Sequence, residues 1–385
     1  MEATVAVIGA GPAGAAAALR LARRGVPDVL LLDRGRFPRD KTCGSALSPS
    51  ALRVVADLGL GEDVARLGYP VRALVLTTPG GRTIRVETGQ AATILSRRRF
   101  DALLVDHAVA GGVRFVDGFR ATELLRSRPG GRVRGLRGVR GGERLDVASD
   151  VVLCADGAHS VFSRDPRPRR TLITVMGWWE EFPFEPHTLE MIFDRNLAPL
   201  YGWVFPEDDR RVNIGICVDR DRLGRSPRNA RELFQRFLAD HLRDRLRGAR
   251  RIGRLQGHPI AHTTLVRHAT APGALYLGEA ARLTNHATGE GIFQALRSGA
   301  YAADAASDVV LGVRGERAAW RDYQARCRRH FTPGFLGGLA LRAGVRGGAL
   351  EVVALAADRP ALRRLATRVL GTGLTGTSPS ATRTE

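Results

Sequence analysis

The chain has 385 residues, 44% of them hydrophobic, enough for a full core and two or three domains. Its formal net charge is +20, and all but one of the 59 basic residues are arginine, a lopsided usage that reads as coding bias rather than function. No apolar run approaches the roughly 20 residues of a membrane span, and no leader-like segment opens the sequence. The expectation is a cytoplasmic protein, with a peripheral contact to the inner face of the membrane left open.

The first elements in chain order carry the strongest signal. Thr4 to Ile8 is a short β-branched run typical of a buried parallel strand. It opens into Gly9-Ala10-Gly11-Pro12-Ala13-Gly14, then an Ala/Leu-rich helix ending near Arg24-Gly25, then the strand Val29 to Leu32, which terminates in Asp33. In such a unit Gly9 permits the tight turn, Gly11 lets the backbone approach a pyrophosphate, and Gly14 allows close packing of the helix. The helix N-terminus offers amide hydrogens and a positive dipole end to phosphates. Asp33 lies 19 residues after Gly14, where an acid accepts hydrogen bonds from a ribose diol. The reading is a dinucleotide site.

Next comes a polar loop, Phe37-Pro38-Arg39-Asp40-Lys41-Thr42-Cys43-Gly44, which carries the chain's single lysine. A cation two residues away favours the thiolate of Cys43; the alternative for Cys43 is a small buried apolar residue. The Arg-rich stretch from Arg126 to Arg144 is broken by Gly and Pro and has no interleaved aromatics. It reads as solvated hairpins and not as a nucleic-acid surface. The apolar strand Val151 to Leu153 runs into Cys154-Ala155-Asp156-Gly157-Ala158-His159-Ser160. Leu172 to Phe182, Thr188 to Phe193 and Arg211 to Val218 read as antiparallel strands between Pro, Asp and Gly turns. Between them, Tyr201-Gly202-Trp203-Val204-Phe205-Pro206 puts three aromatics on one strand face, either as plain core or as the lining of a hydrophobic pocket.

Leu275 to Ala281, containing Gly278-Glu279, is again a strand and turn. Thr288-Gly289-Glu290-Gly291-Ile292 then opens an Ala-rich helix. Two further turns of this kind suit FAD better than NAD. From Gly312 to Leu370 the pattern is helical, broken at Gly347-Gly348 and Pro360, and either packs plainly or walls a hydrophobic tunnel. Gly371 to Glu385 reads as a flexible tail. Cys43, Cys154, Cys217 and Cys327 are too scattered for a metal site or a disulfide framework.

These motifs resemble the geranylgeranyl reductase family, within the p-hydroxybenzoate-hydroxylase-like FAD enzymes, over roughly Val5 to Ala306. The resemblance rests on the glycine turn, on Asp156-Gly157, on Arg97 before Phe100-Asp101, on the Phe37 to Gly44 loop with its cysteine, and on the Tyr-x-Trp-x-Phe-Pro pattern at Tyr201, Trp203 and Phe205. This chain departs from the family pattern in having Glu279 where Asp is usual, His286 where proline is common, and Ser45-Ala46-Leu47 where further glycines are frequent. The resemblance implies an α/β fold: a discontinuous Rossmann-like FAD-binding domain (1–70, 93–165 and 266–311) and an antiparallel β-sheet substrate domain (71–92 and 166–265). A helical C-terminal region (312–370) and a flexible tail (371–385) complete it.

It also implies that Gly9, Gly11, Pro12, Ala13, Gly14, Asp33, Arg34, Cys43, Gly44, Arg97, Ala121, Asp156, Gly157, Ser160, Gly278, Glu279, Gly289, Gly291 and Ile292 contact FAD. Tyr201, Trp203 and Phe205 would line the substrate pocket, with Cys43 and Lys41 at the reacting face. An ordinary thiol, with a pKa of about 8.5, is a weak acid for alkene protonation, so Cys43 is assigned to the site and not to a step.

No second glycine fingerprint marks an NAD(P)H domain, so the reductant is NAD(P)H docking transiently or an external donor. The expected function is hydride transfer between flavin and a hydrophobic, isoprenoid-like or natural-product small molecule. The alternative is an FAD-dependent hydroxylase of secondary metabolism. A halogenase is less favoured, since Tyr and Phe replace the Trp and Ile of the halogenase motif and no catalytic-lysine loop is present. A flavin-binding structural protein without activity fits least. The sequence is silent on oligomeric state.

Overall fold

The computed structural model describes residues 1–163 and 170–357. Pro360, the helix reading beyond it and the 371–385 tail lie outside the described residues. The fold is α/β, with a Rossmann-like sheet, a second large sheet and a helical C-terminal region.

The first sheet has the spatial order Thr270–Ala271, Ala274–Tyr276, Glu143–Cys154, Glu2–Ile8, Val29–Leu32, Arg114–Val116. From Ala274–Tyr276 onward these strands pair in parallel. Val5, Ala6, Val7, Leu30, Leu31 and Leu32 are all fully buried, as expected where both faces of a parallel sheet are covered. Each such Val or Leu contributes about 1.5–3 kcal/mol. One cover is the helix Pro12–Arg23, whose alanines at 15 to 18 are buried. Small side chains there let the helix Ile292–Val310 pack across it. A methyl group on Gly299 would lie 2.3 Å from the Ala13 carbonyl oxygen.

Register positions the site. Ile8 stands beside Leu32 and Cys154, and Cys154 beside Tyr276. Four segments therefore leave the sheet along one edge, and the turns that begin at Gly9, Asp33, Ala155 and Leu277 converge there. In open parallel sheets this carboxyl edge is the binding edge. Gly9 has a φ of +99°, as the tight-turn reading requires. At Gly14 a methyl group would lie 1.9 Å from the Gly9 carbonyl oxygen, so the turn closes only without a side chain.

The second sheet has the order Arg250–Ala261, Thr171–Glu180, Arg211–Asp219, Gly202–Pro206, Thr188–Ile192, Tyr69–Thr77, Thr83–Ile94, Ala46–Leu47. The strands expected from residue 172 onward are present. One pairing departs from the antiparallel pattern: Thr188–Ile192 runs parallel to Tyr69–Thr77. Parallel neighbours need a long crossover, and the segment between these two includes strands of the first sheet.

The arginine-rich stretch forms two successive hairpins, Arg120–Arg126 with Val133–Arg140 and the latter with Glu143–Cys154. Within them Arg137 pairs with Asp146 and Glu123. The helix Glu316–Arg346 buries Trp320, Tyr323, Cys327, Phe331 and Phe335 along one stripe. It docks through Tyr323 Oη to the Tyr276 carbonyl (2.6 Å) and Trp320 Nε1 to the Ala271 carbonyl (2.9 Å). Gly347-Gly348 separate it from the helix Ala349–Ala357, as the sequence suggested.

Because Gly14 seals the turn, Gly14→Ala is expected to yield soluble protein without bound flavin. Visible absorbance of the purified variant, before and after adding FAD, checks this.

Candidate cofactor and substrate cleft

The converging turns open into a cavity of about 710 Å³ that reaches the second sheet without a break. Gly9, Gly11, Pro12 and Ala13 line it, as do Asp33, Arg34, Lys41, Cys43, Gly44, Arg97, Ala121, Asp156 and Gly157. From the C-terminal half come Glu279, Gly289, Gly291 and Ile292, and from the aromatic strand Tyr201, Trp203 and Phe205. Three expected contacts stand behind this wall. Gly14 seals the first turn, and Ser160 Oγ accepts the backbone N–H groups of Phe162 and Ser163. The Gly278 N–H donates to Ser298 Oγ at 2.9 Å.

A network of ion pairs frames the turn end. Asp33 Oδ2 accepts the Ala10 N–H (2.8 Å) and its Oδ1 the Gly35 N–H (2.7 Å). Arg39 reaches both Asp33 oxygens, at 3.3 and 3.2 Å, and donates a third bond to Asp101 (3.1 Å). Asp101 is fully buried and grips Arg97 bidentately, at 2.7 and 2.8 Å. Burial opposes the Arg97 charge, but the Asp101 carboxylate more than offsets this and holds its pKa above the ordinary arginine value. A ribose diol arriving at Asp33 competes with Arg39 for the same oxygens.

At the cysteine loop, Cys43 is half-buried. Its Sγ accepts the Ser45 N–H at 3.3 Å, and the Arg97 guanidinium lies close to it. Lys41 Nζ lies 2.9 Å from His258 Nε2. Burial, helped by Arg97, lowers the lysine pKa from its usual range. Burial, the Lys41 charge and His159 push His258 down to about 3, so His258 is neutral and its Nε2 accepts a hydrogen bond from the Lys41 ammonium. Thr42 Oγ1 donates to Gln256 Oε1 (2.9 Å), which ties the loop to the strand Arg250–Ala261. Glu279 keeps its carboxyl in the cleft, where Oε1 accepts the Ala261 N–H at 3.2 Å and burial raises its pKa.

The aromatic strand forms the roof. Tyr201, Trp203 and Phe205 run along one face with ring centroids 6.3 and 5.9 Å apart. Trp203 Nε1 donates to the buried Asn213 Oδ1 at 2.7 Å, and the indole lies over Gly215, where any side chain would collide. Tyr201 Oη donates to the Thr288 carbonyl at 2.5 Å. Gly44 sits directly against the Phe205 ring, so the cysteine loop and the roof touch. Leu74, Met176, Leu189, Met191 and Ile260 extend the apolar wall. Sequence reasoning missed His258, Asn213, Arg39 and the methionines. Arg39 had a signal, a cation six residues after Asp33; His258, 217 residues from Lys41, had none.

The cavity fits a flavin dinucleotide. The Pro12–Arg23 helix has no side-chain cap at its N-terminus, and a methyl group on Gly11 would meet only arginine tips at 3.6 and 3.8 Å. Bare amides and guanidiniums at a helix N-terminus suit a pyrophosphate. Asp156 Oδ1 and Glu290 Oε1, both on cleft-lining residues, are buried without a partner among the described residues. Fold and site together define an FAD-dependent oxidoreductase.

Comparison with known proteins narrows the class. Residues 2–180 match the model of an FAD binding domain, and residues 173–253 that of a geranylgeranyl reductase catalytic domain. A digeranylgeranylglycerophospholipid reductase of Methanothrix thermoacetophila is 28% identical, with 84% of each chain covered. A menaquinone reductase of Mycobacterium tuberculosis is 31% identical, over 79% of this chain and 76% of its own length. The structure of a geranylgeranyl bacteriochlorophyll reductase-like protein from Thermoplasma acidophilum superposes with a TM-score of 0.82 at 22% identity, covering 98% of this chain and 94% of that one. The chain belongs to the geranylgeranyl reductase family.

Removing one partner of a buried charge pair leaves the other uncompensated, at about 3–5 kcal/mol. Asp101→Asn is accordingly expected to lower unfolding free energy by about 3 kcal/mol in urea titrations and to weaken FAD retention. Asp40→Asn, at an exposed carboxylate in the cysteine loop, should leave the unfolding free energy unchanged.

Proposed function

We propose that the protein reduces an isolated carbon–carbon double bond in a hydrophobic, isoprenoid-like small molecule. The observation that carries this reading is the single cavity shared by the glycine turns and the apolar aromatic roof. The two relatives named above are reductases of a geranylgeranyl lipid and of menaquinone, which supports a lipid-soluble substrate.

Gly11, Pro12 and Ala13 with Arg97 would hold the FAD pyrophosphate, and Asp33 the ribose. Asp156, Glu279 and the Gly289–Ile292 turn would hold the rest. When bound and reduced, FAD supplies a hydride to one alkene carbon. The chain must supply a proton to the other carbon and tolerate positive charge developing between them. Trp203 and Tyr201 offer π faces for that charge, worth about 0.5–2 kcal/mol. Since Trp203 Nε1 is committed to Asn213, the indole is oriented and presents no donor of its own.

The best-placed proton is the Lys41 ammonium. Burial makes it a stronger acid than a free lysine, and neutral His258 holds it in place. Cys43, anchored by the Ser45 N–H, keeps the loop against the roof. The cation of Arg97 beside Lys41 discourages the ammonium further, while Glu279 favours it. Electrons come from NAD(P)H docking at the open cleft or from a separate donor.

Anaerobic incubation of chemically reduced holoenzyme with a geranylgeranyl lipid should give a product two hydrogens heavier by mass spectrometry. A strict requirement for oxygen, or a product one oxygen heavier, would overturn the reading. A rate that depends on the Lys41 ammonium falls as pH rises through its lowered pKa, below the ordinary lysine range. Lys41→Met is expected to lose ten-fold or more in kcat and to flatten that alkaline limb. Trp203→Phe should keep most of kcat, and Trp203→Ala should lose at least ten-fold with the flavin still bound.

A further inference from the structure

A second cavity, of about 820 Å³, lies beyond the flavin cleft. Strand alternation places it. Cys217 and Ile260 line the cleft, whereas Asp219 and His262, each two residues further on, line the second cavity. Residues i and i+2 share a face, roughly 7 Å apart, so both cavities open on the same side of the roof. In the irregular segment after Ala281, Thr284 lines the cleft and His286 the other cavity.

The lining holds seven arginines against two aspartates. Arg342 and Arg346 share Asp219, and Arg342 also donates to the His286 carbonyl at 2.8 Å. The guanidiniums of Arg220, Arg225 and Arg228 have no hydrogen-bond or ion-pair partner among the described residues. At the inner end lie two imidazoles, His262 (8% exposed) and His286 (1%), with ring centroids 5.2 Å apart. Each has a buried Nδ1 with no partner among the described residues.

His286 Nε2 lies 3.0 Å from the Phe335 carbonyl, which can only accept, so Nε2 carries the hydrogen and Nδ1 offers a lone pair. A site with unpaired guanidiniums at its mouth and an imidazole lone pair inside asks for a ligand that is both anionic and a proton donor. A phosphate with one remaining P–OH is both: inorganic phosphate keeps one through neutral pH, and a monoester, with a second pKa of about 6, keeps one below that pH. The rim adds an apolar element: Leu339 lines the cavity and is 45% exposed, with Leu336, one turn earlier, 50% exposed.

We propose that this cavity binds a phosphate group, either inorganic phosphate or the monoester headgroup of an amphiphile whose chain lies along Leu339. Arg220, Arg225 and Arg228 take its charged oxygens, His286 Nδ1 accepts a hydrogen bond from its hydroxyl, and the second open imidazole nitrogen, His262 Nδ1, bonds another of its oxygens. The site is independent of the reaction assigned to the cleft.

Full-length holoenzyme is titrated calorimetrically, at fixed ionic strength, with sodium phosphate, with dodecyl phosphate below its micelle concentration, and with dodecyl maltoside. One saturable phosphate site is expected. The triple variant Arg220→Gln/Arg225→Gln/Arg228→Gln, altered only at exposed positions, should weaken it ten-fold or more with flavin absorbance and Tm unchanged. His262→Gln, read the same way, should also weaken it. Dodecyl phosphate binding at least ten-fold tighter than inorganic phosphate assigns the site to an amphiphile headgroup; equal affinities assign it to free phosphate, and either result supports the site. Absence of saturable phosphate binding overturns it. So does undiminished affinity in both variants, or dodecyl maltoside binding as tightly as dodecyl phosphate.

Discussion

The site rests on one buried carboxylate. Asp101 has no exposed surface and is held by two guanidiniums, Arg97 from its own helix and Arg39 from the cysteine loop. Arg39 then reaches Asp33 at the end of the second parallel strand. A charge this deep persists only when it is paired and hydrogen-bonded. Satisfying it fixes three otherwise separate pieces: the helix Arg97–Ala110, the loop carrying Lys41 and Cys43, and the acid at the strand end. Arg97 also lines the cleft with Cys43, so the network reaches the cavity wall.

A second constraint comes from the roof, where polar and apolar demands are kept apart. Each aromatic with a polar tip spends it on the protein: Trp203 on Asn213, Tyr201 on the Thr288 carbonyl. What remains toward the cavity is ring surface, methionine and aliphatic carbon. Three of the titratable groups that line the cavity, Lys41, His258 and Glu279, gather where the cysteine loop meets the strand Arg250–Ala261. The roof thus presents ring and aliphatic surface, and these titratable groups lie where the cysteine loop closes against it.

Much of the fold was legible because it depends on local chemistry. The turn at Gly9 to Gly14, the acid at Asp33 and the strand carrying Tyr201, Trp203 and Phe205 each announce themselves within a few residues. The convergence of four turns at one edge follows from parallel pairing once the strands are recognised. What stayed hidden depends on register between distant segments. Nothing near Lys41 points to His258, and nothing near Trp203 indicates that Asn213, ten residues on, takes its indole N–H. Gly14, Ser160 and Gly278 were recognised as parts of the turns, but they serve by letting backbones pack and by satisfying amides behind the wall. Sequence spacing does not distinguish a residue that lines a turn from one that braces it.

The parallel pairing of Tyr69–Thr77 with Thr188–Ile192 joins residues more than a hundred positions apart. During synthesis, the earlier strand and its hairpin partner Thr83–Ile94 must wait with one hydrogen-bonding edge open until the later strand emerges. Closing so long a loop carries an entropic cost, and unpaired edges invite association with other chains.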